Sequence, residues 1–184
     1  MRIKRNYTPK FRELMLYVAE KSESDPRFGA VKLNKILYYS DFAAYRQLDQ
    51  SITDAEYQHL EEGPAPKFLL PARDALISDD AARIEERSYF NRSQQRLVAI
   101  DTPDYNLFTA QELQIVDQVI DALWENDGAG VSDLSHREFG WATTGLNETI
   151  PYYTAWIGSD ALTPEQLREG LEVAKRNGLT ASAA

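Results

Sequence analysis

The sequence predicts an α+β domain, mainly helical, with a central helix, one antiparallel β-hairpin and room for a short third strand. Three observations lead there. Several segments repeat apolar residues at helical spacing behind recognisable caps; two neighbouring segments rich in Ile, Tyr, Phe and Val flank a polar break; and no linker or repeat divides the 184 residues. Hydrophobic residues make up 43 % and charged residues 27 %, the balance of a folded chain, so a single domain over 1–184 is expected.

Thr8-Pro9 opens the first helix, with Thr at the N-cap and Pro at the first helical position. Phe11, Leu14, Met15 and Val18 repeat at helical spacing up to the breaker run that ends at Pro26. Over 30–47 two apolar stripes appear. Leu33, Ile36, Leu37, Ser40 and Ala44 share one face, and Val31, Tyr38, Phe42 and Tyr45 lie nearly opposite. A helix apolar on two sides either sits centrally in the core or keeps one face for a partner.

Residues 52–60 alternate without a helical stripe, as a short strand does, and Gly63, Pro64 and Pro66 are expected to break regular structure after it. A helix follows over about 67–80. Residues 82–90 and 94–100 read as the hairpin, joined at Asn91, Arg92 and Ser93. Thr109 and Glu112 form a capping box before the stripe Leu113, Val116, Ile120, Leu123 and Trp124, which stops at Asp127-Gly128. Short helices are expected over 131–138 and 151–157. A last helix runs from Thr163-Pro164 to Asn177-Gly178, and 179–184 is expected to be a flexible tail.

Composition narrows the function. The chain has no cysteine, which removes disulfides, thiolate catalysis and thiolate metal sites together. The basic start Met1-Arg2-Ile3-Lys4-Arg5 has no apolar stretch behind it, and no run approaches the ~18 apolar residues of a membrane span. A cytoplasmic protein without a membrane partner is expected. A net charge of −9 argues against a phosphate-tracking nucleic-acid surface and suits a basic protein partner, or solubility alone.

Signs of catalysis are sparse. His59 and His136 stand beside Glu61, Glu62 and Glu138, but the spacing that puts two ligands on one helical face is absent. A small metal-dependent hydrolase using His136 and Glu138 is the remote alternative. No nucleophile elbow, Walker loop or dinucleotide fingerprint occurs. Gly128-Ala129-Gly130 reads as a helix stop and restart rather than an anion site.

Three segments stand above this background. They are Lys32-Leu33-Asn34-Lys35-Ile36-Leu37-Tyr38-Tyr39-Ser40-Asp41; then 51–66, with Glu56-Tyr57 and Gly63-Pro64-Ala65-Pro66; then Leu134-Ser135-His136-Arg137-Glu138-Phe139-Gly140-Trp141, with Ile150-Pro151-Tyr152 behind it. In this order they resemble the Panacea domain, the SocA-like family of bacterial and phage antitoxins, over about 11–157. The helix over 163–178 lies outside the resemblance, and Asp54 stands where the family more often has Gly.

The resemblance implies a protein that neutralises a cognate protein toxin by direct binding and, in some members, delivers the toxin to an AAA+ protease. It brings no cofactor and no catalytic residue. A proteolytic adaptor or scaffold without a toxin of its own is the alternative. Lys35, Tyr38 and Asp41 recur at helical spacing and are expected to offer a partner-binding edge. Tyr57, Gly63, Pro64, His136 and Trp141 join them as candidates, Tyr and Trp being frequent binding hot spots. The competing expectation is that Tyr38, Tyr57 and Trp141 pack in the core and hold the Gly63-Pro64 turn, with His136 and Trp141 bringing the short helix after Val131 against it. The terminal Ala183-Ala184 resembles tails that AAA+ proteases engage, the alternative being a frayed end.

Overall fold

The computed structural model describes residues 7–89 and 92–157, together with residue 168. Its first helix, α1 (Pro9–Lys21), starts where the Thr8 hydroxyl accepts the Phe11 N–H, and it buries Phe11, Leu14, Met15 and Val18. Helix α2 (Ala30–Leu48) follows and ends at Asp49, which adopts φ 59. Both of its apolar stripes are used. Leu33, Ile36, Leu37, Ser40 and Ala44 are buried on one side, and Tyr38 and Phe42 on the other. Between the helix ends a strip through Tyr39, Ala43 and Arg46 reaches the surface, and Asn34 and Tyr45 are partly exposed beside it.

Two small antiparallel hairpins lie beside this helix. In the first, β1 (Tyr57–Leu60) pairs with β2 (Gly63–Pro66), Tyr57 opposite Pro66 and Leu60 opposite Gly63. The expectation of a strand from residue 52 and of a break at Gly63 to Pro66 is therefore corrected twice. Residues 51–54 form a loop, because Asp41 captures the Ile52 and Thr53 N–H groups and the Ser51 hydroxyl that of Asp54. The prolines are tolerated in β2 because they face His59 and Tyr57, whose backbone groups turn the other way. His59 N–H donates to Glu148 O, and Tyr57 O accepts from Ile150 N–H. Neither proline is asked for a donor by the ladder.

Helix α3 (Leu69–Ser78) is shorter than the 67–80 expected and leads into β3 (Ala82–Tyr89), which pairs with β4 (Arg92–Ala99). Arg92 and Ser93 belong to β4 and not to the turn, since the pairing runs out to Tyr89 opposite Arg92. One buried side chain went unforeseen. Arg96 donates to Ser22 O and Asp25 O at 2.6 Å each, and also to Glu23 O, so it fastens the breaker after α1 to the hairpin.

Helix α4 (Ala110–Leu123) carries the predicted capping box, with both the Thr109 and the Glu112 side chains engaged. Helix α5 (Gly128–Ser135) starts three residues earlier than expected, because Asp127 caps it by accepting the Gly130 N–H. It also stops before Glu138, which precedes a separate short helix, α6 (Phe139–Thr143). A 3₁₀ segment, Tyr152–Trp156, takes the place of the helix expected over 151–157. The helix over 163–178 and the tail 179–184 lie outside the described residues. Among those described, no helix is long and apolar enough to cross a membrane.

Candidate functional site

The three motif segments meet around the β1–β2 turn. Gly63 sits there at φ +94, where L side chains are strained, and a Cβ would strike the Ser135 hydroxyl and come within 2.8 Å of Lys35 Cε. Three carbonyls at the turn, those of Leu60, Glu62 and Pro64, are met by donors from other elements. Lys35 Nζ on α2 donates to Glu62 O (2.7 Å) and Pro64 O (3.2 Å), Ser132 Oγ on α5 donates to Glu62 O (2.7 Å), and Trp141 Nε1 on α6 donates to Leu60 O (3.1 Å). Buried carbonyls need such partners. Burial holds the Lys35 ammonium down at about 8 from its ordinary 10.5, with Glu62 pulling weakly the other way.

At the other end of the hairpin, Asp41 is completely buried and accepts four hydrogen bonds. These come from Ile52 N–H (2.8 Å), Thr53 N–H (2.9 Å), Thr53 Oγ1 (2.5 Å) and the Tyr57 hydroxyl (2.7 Å). Burial pushes its carboxyl above the ordinary carboxylate range, and the bonds from Thr53, Tyr57 and Ile52 pull it part of the way back. Tyr38 closes this region, its ring 4.2 Å from Phe42 and 5.5 Å, edge-on, from Tyr57. Lys32, also in the first motif, is paired inside the protein with Asp25 at 2.6 Å.

Trp141 is held between two imidazoles. His59 stacks on one face and His136 on the other, each ring centroid 4.2 Å from the indole. His59 Nδ1 lies 2.8 Å from Thr144 O, which gives that nitrogen the proton. With the indole between them the two histidines cannot share one metal ion, and among the described residues no group of three or more potential ligands is gathered.

The sequence-derived candidates thus come together, but inward. Lys35, Tyr38, Asp41, Tyr57, Gly63 and Pro64 are buried, while His136 and Trp141 are partly exposed. The expected edge of Lys35, Tyr38 and Asp41 is buried: Lys35 and Asp41 have their polar atoms committed to the hairpin, and Tyr38 packs its ring there and reaches only the wall of the cleft beside Tyr39. The surface above them carries what sequence reasoning missed. Tyr39 and Glu138 lie together there, and burial pushes the Glu138 carboxyl up against the opposing pull of Tyr39 and Arg46. Nearby, Leu134, Tyr153 and Trp156 are 37 %, 48 % and 52 % exposed, and Tyr45 stacks on Tyr152 and packs on Trp156. The signal for this surface was the apolar spacing of Tyr39 and Ala43, which falls between the two stripes assigned to the core.

Geometry defines this as an α+β domain whose shared motifs tie one buried helix to a hairpin turn. A family model described as antitoxin SocA-like, Panacea domain, matches residues 33–142, more than half of the chain. The chain belongs to that family. The matched stretch starts inside the first motif and ends just past Trp141. No curated protein and no solved structure matches the chain.

Proposed function

We propose that this protein is an antitoxin that neutralises a cognate protein toxin by binding it directly. Family membership carries this reading, and one surface supports it. Leu134 stays exposed in the groove beside Tyr39 and Ala43, and Tyr153 and Trp156 stay exposed on the 3₁₀ segment whose Thr154 and Ala155 line the adjoining cleft. Exposed aromatics grouped beside a groove are typical anchors of a protein contact. Handing the bound toxin to an AAA+ protease is compatible with the same contact.

The test is co-expression with the product of the adjacent reading frame. Wild type is expected to restore growth and to co-purify with that product. Leu134→Asp and Trp156→Asp, both on exposed positions, are expected to lose co-purification while melting within a few degrees of wild type. Full binding by both variants would place the contact elsewhere, and no growth rescue by wild type would remove the antitoxin reading.

A further inference from the structure

The toxin-binding reading leaves open what kind of surface the partner presents, and the charges around the grooves bear on it. The chain is acidic overall, and nearly every cation between residues 7 and 157 with a described side chain is engaged. Lys10 pairs with Glu112, Lys67 with Glu56 and Arg27 with Glu125; Lys32, Lys35 and Arg96 hold carboxylate or carbonyl oxygens; Lys21 lies over the Tyr17 ring. The remaining arginines of α1, α3 and β3 are in ion pairs too. Apart from Lys21, the cations among these side chains that make neither an ion pair nor a hydrogen bond are Arg46 and Arg137. Both are exposed.

These two flank one region. Arg46 lines the cleft between α2, α6 and the 3₁₀ segment, and Arg137 lines the apolar groove between α2, α4 and α5. Tyr39, Ala43 and Glu138 belong to both, so the groove and the cleft adjoin along α2. Between the arginines the floor is apolar, with Phe42 and Ala43 on one side and Val119 and Leu134 on the other. The one carboxylate lining both groove and cleft, Glu138, faces Tyr39 and is felt by Arg46 through space, but it forms an ion pair with neither arginine.

We infer that this face receives an acidic, apolar segment of the partner protein, whose carboxylates engage Arg46 and Arg137 on either side of an apolar side chain seated over Ala43. A guanidinium presents a planar fork of donors that matches a carboxylate, and an apolar floor between two such forks fixes register as well as charge. Locally this reverses the expectation of a basic partner drawn from net charge. It rests on the toxin-binding reading, and it can fail alone.

The probe is a phage-displayed library of random peptides selected on the full chain. Selected peptides are expected to place Asp or Glu beside Leu, Phe or Trp. A fluorescent copy of the best of them should bind Arg46→Glu and Arg137→Glu about tenfold more weakly each, as expected for truncating a charge pair at an interface. Exchanging its carboxylates for Lys should restore binding to the double variant, and circular dichroism should match wild type throughout. Peptides without acidic residues, unchanged affinity in the double variant, or no selected peptide would each overturn the inference. Growth rescue separates the two claims: a double variant that rescues as wild type does removes the acidic segment and leaves the antitoxin, whereas failure of wild type to rescue removes the antitoxin itself.

Discussion

Gly63 and Asp54 show how much one backbone angle decides. At Gly63 the positive φ and the blocked Cβ direction act together, so Gly63→Ala is expected to cost about 1–3 kcal/mol, read as a lowered urea midpoint. Asp54, where the family favours Gly, adopts φ 57 and is steadied by Ser51, whose hydroxyl donates to its carboxylate at 2.8 Å. Asp tolerates this left-handed conformation better than most residues, whereas a β-branched side chain does not. Asp54→Gly should therefore leave stability within about 1 kcal/mol of wild type, while Asp54→Val should lower it by more; equal effects would show that the angle is unimportant. Lys35 gives a pH signature. Its folded-state value of about 8 lies below the ordinary 10.5, so between these limits the unfolded chain binds more protons and stability rises with pH. Above pH 10 the sign reverses, because Tyr38 and Tyr57 are pushed up by burial and keep protons that the unfolded chain releases. A melting temperature that climbs from pH 8 to a maximum near 10 is expected, by the equivalent of about 2–3 kcal/mol, with the climb absent in Lys35→Met.

The elements differ in how legible they were. Helices α1 and α4 announce themselves through Thr8-Pro9 and through the box of Thr109 and Glu112, since a cap acts within a single turn of chain. Thr109→Ala is expected to cost about 1 kcal/mol in thermal or urea unfolding, and a silent substitution would mean that tertiary packing alone holds the start of α4. Strand β2 was not legible. Two prolines in four residues argue against a strand unless the neighbouring strand turns its hydrogen bonds away, and that depends on Thr149 and Glu148, far along the chain. Helix α5 was read as running on to Glu138, and α6 was not read, because the break at His136 to Glu138 answers to Trp141, which must reach back to Leu60. Trp141→Phe keeps a ring between His59 and His136 and loses the indole donor, so it should cost about 1–2 kcal/mol, against about 3 or more for Trp141→Ala. Near-equal losses would show that the stack itself contributes little.

At the scale of the whole molecule, the motif that carries the family resemblance is the frame on which the rest is hung. Asp41→Lys, which would alter only binding if this edge faced a partner, is now expected to abolish folding. It removes an acceptor of four hydrogen bonds and puts an ammonium in their place at a position with no exposure to solvent. Circular dichroism of the purified variant checks this, and a native spectrum would show that the loop over 51–54 can be held otherwise. By itself the sequence determined the starts of α1, α2 and α4, both stripes of α2, the β3–β4 hairpin and the family, all of which rest on spacings within a few residues. Tertiary structure alone decided the direction in which the polar motif residues point. Lys35 finds its carbonyls 27 and 29 residues away, Trp141 finds Leu60 at 81, and the two arginines that make no ion pair or hydrogen bond emerge only once the other described arginines have been placed. Periodicity records that a face is apolar, but the donor that satisfies a buried carbonyl is chosen by whichever distant segment the fold brings beside it.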